Sequence, residues 1–133
     1  MSYNVYHNPK NVMLGATPIT GVVAVAVSQA YGELHAAADT DVHESIAVHT
    51  TGRTTGTIAL LDPVQAQAVA GLAGTLSFVW SNAAGAPAGD KTVTITGCSM
   101  AGWEGQVGRD QASRAVLQFV AAKTDGTNPV SIA

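Results

Sequence analysis

Six side chains that bind metals or exchange protons lie close together in one polar stretch of the chain. They are His35, Asp39, Asp41, His43, Glu44 and His49. Imidazole and carboxylate ligands at short spacing can hold a divalent metal ion, and Asp39-Thr40-Asp41 has the spacing of the first two ligands of a calcium loop. The glycine and distal glutamate of such a loop do not follow, and no HExxH pattern occurs. We therefore interpret the stretch as a solvated polar loop and expect neither a metal nor a cofactor.

Other patterns that indicate catalysis are also missing from the sequence. Paired carboxylates need a cleft that shifts their pKa values, and this small chain shows no second lobe to build one. Ser28, Ser45 and Ser113 have no nucleophile-elbow glycines around them, and the segments GLAG and GWEGQVG do not match phosphate-binding loops. The single cysteine, Cys98, has no neighbouring histidine and ends an alternating run, which predicts a small buried hydrophobe. We expect a protein that is not an enzyme.

The composition indicates a surface with unusually little charge. Only 11% of the residues are charged, against about 25% in an average soluble domain. Either the surface is rich in Ala, Thr and Ser, or much of it is buried against other copies of the chain, where charge is depleted. The formal net charge is −3, and the six Lys and Arg residues are scattered, so specific binding to nucleic acid is not expected.

The sequence shows no pattern that predicts membrane targeting or a membrane span. The N-terminal residues lack a basic region followed by an apolar stretch, so no signal peptide is expected. The longest apolar run, Val22–Val27, is too short to cross a bilayer. We expect synthesis and folding in the cytoplasm, without a membrane partner.

The clearest secondary structure is a strand, a short helix and a second strand within Thr54–Trp80. Alternation around Ile58 and Leu60 predicts the first strand. Asp62 suits a helix N-cap and Pro63 the first helical position. Val64, Ala68 and Leu72 predict the buried face of the helix, and Gly71 or Gly74 its end.

The remaining strands complete a single domain over residues 1–133. Alternation or β-branched residues predict strands at Val22–Gln29, Lys91–Cys98 and Ser113–Ala122, and a turn at residues 7–11 predicts an N-terminal hairpin. A long loop is predicted at about 30–53, an exposed turn at Asn82–Asp90, and a tail that frays or extends onto a neighbour at Thr127–Ala133. The expected fold is mainly β: two packed antiparallel sheets, as a sandwich or open barrel, with one flanking α-helix.

The order of these segments resembles the small tail tube proteins of tailed bacteriophages, whose fold is shared with contractile injection systems. The resemblance rests on TGTIALLD, VQAQAVAGLAG, TLSFVW, KTVTITG, a Gly-rich loop and AVLQFVAAKTDGTNPVS, and it covers roughly Gly15–Ala133. These are diffuse patterns, and the chain is short for the family. The resemblance implies a virion structural protein whose hexameric rings stack into the tail tube, contact other tail proteins and conduct DNA through the lumen.

The resemblance also implies which residues make contacts between copies. The loop at 30–53 corresponds to the segment that reaches the adjacent ring; its candidate residues are Glu33, His35, Asp39, Asp41, His43, Glu44 and Arg53. Trp103, Arg109 and Arg114 are candidate subunit contacts, although Trp103 suits the core equally well. Acidic groups that face the lumen would repel phosphates, or the arginines would pair with them between subunits.

Two alternatives fit the same residues. One is a baseplate or tail-end ring protein, or a capsid decoration protein, in which the rings close without stacking. The other is a small carbohydrate-binding β-sandwich that uses Trp103 and the acidic loop.

Overall fold

A computed structural model describes residues 4–85 and 89–133 of the chain. Within them lie eight strands and one helix: β1 (Tyr6–Leu14), β2 (Thr17–Pro18), β3 (Val22–Ala36), β4 (Ile46–Leu60), α1 (Pro63–Val69), β5 (Ala73–Asn82), β6 (Lys91–Gln106), β7 (Arg114–Ala121) and β8 (Val130–Ile132). Part of the predicted turn at Asn82–Asp90, and Tyr3 at the start of the hairpin predicted over Tyr3–Leu14, lie outside the described residues. No helix in the described ranges has the length and hydropathy needed to cross a membrane.

The strands form one antiparallel sheet in the order β2-β1-β5-β6-β7-β4-β3, with β8 also paired to β6. Strand β6 has two sets of neighbours. One edge pairs with β5 from Lys91 to Ser99; the other edge pairs with β8 in the first half of the strand, from Val93 to Ile95, and with β7 in the second half, from Cys98. Gly97 lies between the halves with φ of +67°, and a Cβ there would collide with the carbonyl of Ala122. Only glycine tolerates this combination easily, so Gly97 fixes the point where the sheet changes partners.

The core joins the two halves of the sheet. In the strands that contribute to the core, alternate residues point inward, as the two-residue period of a strand requires. The buried side chains form one cluster and include Val12, Leu14, Ile58, Leu60, Leu76, Phe78, Val93, Ile95, Leu117 and Phe119. Because this cluster draws on both halves, the sheet curls around a common core. The mainly β class and the antiparallel sandwich or open-barrel arrangement are confirmed.

The helix starts as predicted but buries a different face. Asp62 accepts a hydrogen bond from the Val64 amide at 3.0 Å, and Pro63 is the first helical residue. Val64 is 74% exposed, whereas Ala66 and Val69 are buried. Gln65 sets this orientation, because its side chain accepts from the Thr20 amide at 3.1 Å and donates to the Pro18 carbonyl at 3.2 Å. The predicted face of Val64, Ala68 and Leu72 is therefore wrong.

The N-terminal segment is a single strand, not the predicted hairpin. Strand β1 pairs with β5 along its length, with irregularities in register after His7 and Lys10. Asn8 and Asn11 have positive φ, which asparagine tolerates better than most residues. The turn-forming residues therefore produce bulges that keep the strand direction instead of reversing it.

Two further segments are more regular than predicted. Strand β6 continues to Gln106 through the Gly-rich stretch, and the C-terminal tail forms β8, paired with β6 from Ile95 to Val93. Both segments form backbone hydrogen bonds with a neighbouring strand. Such pairing does not require alternating side chains, so the sequence pattern gave little indication of these two strand segments.

The predicted long loop at 30–53 is in fact the outer part of a β-hairpin. Strand β3 runs to Ala36 and β4 starts at Ile46, which leaves only residues 37–45 as a loop. Cross-strand pairs continue as far as Ala36 and Ile46. Residues 30–53 are almost all exposed on both faces. A strand with two exposed faces need not alternate, which explains why the sequence suggested a loop.

Candidate functional site

The most distinctive surface feature is the protruding hairpin of residues 30–53, here called the arm. Strand β4 pairs with β7 only from Thr54 to Leu60, so the arm strands pair only with each other among the described residues. An isolated two-stranded hairpin is marginally stable in water. The arm therefore depends on its base for its position.

The base of the arm is held by a small polar network. The side-chain amide of Gln29 donates to Oγ1 of Thr54 at 3.0 Å and to Oδ1 of Asn128 at 2.7 Å. Thr54 is a buried polar residue, 4% exposed. Asn128 also accepts from the Val130 amide at 3.0 Å, at the start of β8. The network thus connects both arm strands to the segment that precedes β8.

One face of the arm carries ionisable and aromatic side chains. Glu33 is the cross-strand partner of His49, and the ring of Tyr31 contacts the His49 ring edge-on, with centroids 5.3 Å apart. His35 lies on the same face because residues two apart on a strand share a face. Its Nε2 lies 2.9 Å from a Glu33 carboxylate oxygen, and its Nδ1 lies 2.5 Å from one of Glu44. Both ring nitrogens of His35 therefore face acceptors.

These two contacts favour the protonated imidazole. The hydrogen bond with Glu33 and then that with Glu44 raise the pKa of His35 above its ordinary value, while desolvation opposes them. A neutral imidazole has only one N–H, whereas the imidazolium can donate to both carboxylates. The arrangement is therefore a charge-assisted bridge between β3 and the loop.

The loop between the arm strands has an internal structure of its own. The carboxylate of Asp41 accepts from the Ala38 amide at 2.8 Å, and the Ser45 amide donates to the Ala36 carbonyl at 2.9 Å. The Ala38 amide, followed by the Ser45 side chain, lowers the pKa of Asp41. The side chains of Asp39 and His43 are exposed and lie outside these bonds. Internal hydrogen bonds thus hold the conformation of the loop, while its ionisable side chains remain exposed to solvent.

The opposite face of the arm is apolar. Leu34 pairs with Val48 and Ala36 with Ile46, so these four side chains share one face. Leu34, Val48 and Ile46 are 54%, 52% and 48% exposed. We call this set the apolar arm face. In water such a surface is unfavourable, and contiguous apolar patches are typical of interaction sites.

The six candidate metal ligands do not converge. His35 and Glu44 are in contact, but the two nitrogens of His35 face different carboxylates. Across the described parts of the chain, no group of three or more His, Cys, Asp or Glu side chains is arranged to hold a metal ion. The arrangement at the arm is one of mutual hydrogen bonding.

The three candidate subunit contacts lie around the distal end of β6 and β7. Trp103 is 38% exposed, and its ring packs over Gly105 beside Pro63. Arg114 lines an open groove of about 460 Å³ with Gln106 and Gln111, and Arg109 is exposed in the adjoining loop. Arg53 is exposed near the base of the arm and lines a smaller groove of about 140 Å³. The side chain of Trp103 is therefore partly packed against the domain and partly exposed to solvent.

No arginine takes part in the ion pairs found among residues 4–85 and 89–133. Those pairs join Lys10 to Asp90 at 2.8 Å and His35 to Glu33 and Glu44. The arginine guanidinium groups of the described regions thus remain available for bidentate contacts with carboxylates.

The side chains of Cys98 and Trp80 pack in or against the hydrophobic core. Cys98 is buried, as predicted, and desolvation raises the pKa of its thiol to about 11. A thiol in this state is a poor nucleophile because the thiolate is the reactive form. Trp80 packs against the core, with ring centroids 6.0 Å from Phe78 and 5.9 Å from Tyr6.

Sequence reasoning missed the apolar arm face and the polar network at the base. The first left a weak signal, since Ile46 and Val48 alternate with Ala47 and His49. The second left none, because Gln29 and Asn128 are far apart in sequence and neither belongs to a motif.

A search of protein-family models and of curated proteins finds no match to this chain. The functional assignment therefore depends on the geometry described above and on the resemblance of the sequence.

Proposed function

We propose that the chain is a structural subunit that assembles with copies of itself into stacked hexameric rings, the tube of a phage tail. In this assembly the arm contacts the adjacent ring, other tail proteins contact the ends of the tube, and DNA passes through the lumen. The observation that carries the proposal is the apolar arm face, which projects from the domain without a partner in the described residues.

A second copy is the occupant that best suits the apolar arm face. The chain has only 11% charged residues, as expected for a subunit with a large part of its surface in contacts between copies. A surface on one end of a subunit that binds a different surface on the next copy gives a heterologous contact. Such contacts generate rings when they close and filaments when they do not.

The distal end of β6 and β7 offers a second contact surface. Trp103 is partly exposed, and aromatic residues and arginine are enriched in interfaces. We propose that Arg109, which is exposed in the loop between β6 and β7, and Arg114, the first residue of β7, pair with carboxylates of a neighbour. The loop of the arm, with Asp39 and Asp41, presents such carboxylates.

The charge of the chain suits a lumen through which DNA passes without specific binding. The net charge is −3, and the positively charged residues do not form a run. Binding to DNA depends on neutralising phosphates with Lys and Arg, so a surface of this kind adheres weakly.

The proposal is tested by negative-stain electron microscopy and solution mass over a range of concentrations. We expect hollow tubes or stacked six-fold rings from the unmodified chain. The double variant Leu34→Ser/Val48→Ser removes two exposed side chains of the apolar arm face and should stop stacking while leaving the fold, checked by circular dichroism, unchanged. Val64→Ser, at an exposed position on α1, is the matched control.

Other results would redirect or reject the proposal. A closed ring that never stacks would favour a baseplate or decoration protein. Tubes that form equally well with the arm double variant would contradict the role of the apolar arm face. A monomer at every concentration would contradict self-assembly of the unmodified chain.

A further inference from the structure

We propose that the tip of the arm is a proton-operated latch, in which His35 holds the loop of residues 37–45 onto β3 when it is protonated and releases it when it is neutral. The geometry points to this because one side chain bridges two carboxylates that belong to different segments. Glu33 belongs to β3, whereas Glu44 belongs to the loop.

The bridge requires a proton on each ring nitrogen. The Nδ1 of His35 is 2.5 Å from Glu44 and its Nε2 is 2.9 Å from Glu33. Carboxylates are acceptors only, and a neutral imidazole can donate through one nitrogen. After deprotonation, one nitrogen presents its lone pair to a carboxylate oxygen, and that contact becomes repulsive. The two contacts cannot persist together.

The contact with Glu44 is the one that latches the loop. Glu33 and His35 are two residues apart on the same strand, so their contact connects nothing new. The bond with Glu44 crosses from β3 to the far end of the loop. When it is lost, the bonds of Asp41 with Ala38 and of Ser45 with Ala36 still hold the turn. We therefore expect the Glu44 side chain and the loop residues before it to become mobile without unfolding of the arm, while Ser45 stays bonded to Ala36 of β3.

The surroundings of His35 determine the direction of the effect. The groups in contact with His35 are Glu33 on β3 and Glu44 on the loop; the other titratable groups of the arm tip are Asp39, Asp41 and His43 on the loop and His49 with Tyr31 on the strands. The four carboxylates give the tip a formal charge of −4 with neutral histidines, and protonation of His35 reduces it to −3. Repulsion between Glu33 and Glu44 also falls when the imidazolium lies between them.

The sign of the pH dependence follows from the raised pKa of His35. The latch is closed below the ordinary histidine value of about 6.5 and opens as pH rises through the higher value of the folded arm. The loop carries Val42, which is 93% exposed. If the arm contacts a neighbouring ring, a closed latch fixes the surface presented to it; this consequence rests on the proposed function, whereas the latch does not.

The test uses nuclear magnetic resonance on the full chain at a concentration where it is monomeric. The titration midpoint of the His35 ring and the motion of the loop amides are followed from pH 5 to pH 9. We expect a midpoint above about 6.5 and a loop that becomes more mobile through that same midpoint. In Glu44→Ala, which has no acceptor for the Nδ1 proton, the midpoint should fall toward the ordinary value and the loop should be mobile at every pH.

Asp39→Ala is the matched control, because it removes a carboxylate from the same loop that makes no contact with His35. It should leave both the midpoint and the loop transition in place. A His35 midpoint at or below the ordinary value, a loop whose motion is independent of pH, or equal effects of the two variants would overturn the latch. Because the sample is monomeric, these results are independent of whether the chain forms tubes.

Discussion

The side-chain amide of Gln29 donates to Oδ1 of Asn128 at 2.7 Å, which joins the start of the arm to the segment before β8. The same amide also satisfies the buried hydroxyl of Thr54 at 3.0 Å. Residues from three parts of the chain thus meet at the point where the arm leaves the domain. The position of the arm depends on this point, because its strands have no other neighbours in the described residues.

Removal of this junction should loosen the arm. We expect Gln29→Ala to lower the free energy of unfolding by about 1–3 kcal/mol, because it removes two hydrogen bonds of about 0.5–1.5 kcal/mol each. Amide exchange within residues 30–36 and 46–53 should accelerate more than exchange in the core strands. Urea unfolding and hydrogen exchange measure the two effects. Gln111→Ala, in the loop before β7, is the control, and equal exchange rates in the two variants would contradict the role of Gln29.

Substitutions in the core should destabilise the monomer much more than substitutions on the apolar arm face. Leu117 is fully buried, so Leu117→Ala should destabilise the fold by about 2–5 kcal/mol. Val48 is half exposed, and Val48→Ala should change the stability of the monomer by no more than about 0.5 kcal/mol. Chemical denaturation of monomeric samples measures both. A large cost for Val48→Ala would mean that the apolar arm face packs within its own domain.

The helix cap offers a conservative comparison. Asp62 accepts a hydrogen bond from the Val64 amide at 3.0 Å. We expect Asp62→Ala to cost about 1 kcal/mol, because a first-turn amide loses its partner. Asp62→Asn keeps an oxygen acceptor and should cost much less. If both variants lose the same amount in urea unfolding, charge matters more than the cap itself.

Cys98 should give a pH dependence of its own. Burial raises the pKa of its thiol to about 11, so the folded state favours the neutral form. The unfolded chain ionises near the ordinary value, and stability should therefore fall as pH rises from about 8.5 toward the folded value. Cys98→Ala should remove this part of the slope. A thiol reagent at pH 8 should react rapidly only after unfolding, and fast reaction of the folded protein would show that the site is accessible.

The sequence predicted the core strands well because burial on one face imposes alternation. Val93 and Ile95, for instance, are buried as their spacing predicted, with Thr94 on the other face. The cap at Asp62 was predictable because it is a local effect of chemistry on the backbone. The buried face of α1 was not, since the contacts of Gln65 with Pro18 and Thr20 come from a segment distant in sequence.

The candidate site was predicted by location but not by structure. The histidines and carboxylates of residues 33–49 were recognised, yet the arm was expected to be a loop because neither face is buried. Which of these groups touch depends on register, and the register pairs Glu33 with His49 and brings Glu44 back toward His35. The composition of the segment does not predict which residues of its two strands pair with each other. The contacts of Trp103, Arg109 and Arg114 with other copies stay predictions.

Because the arm is long, a small rotation at its base produces a large displacement at its tip. From Gln29 to Ala36 seven residue steps at about 3.3 Å each span roughly 23 Å. A tilt of about 5° at the junction of Gln29, Thr54 and Asn128 would therefore displace the end of β3 by about 2 Å, which is comparable to the difference between a made and a broken hydrogen bond. Small rearrangements before β8 would therefore produce larger displacements at the tip of the arm.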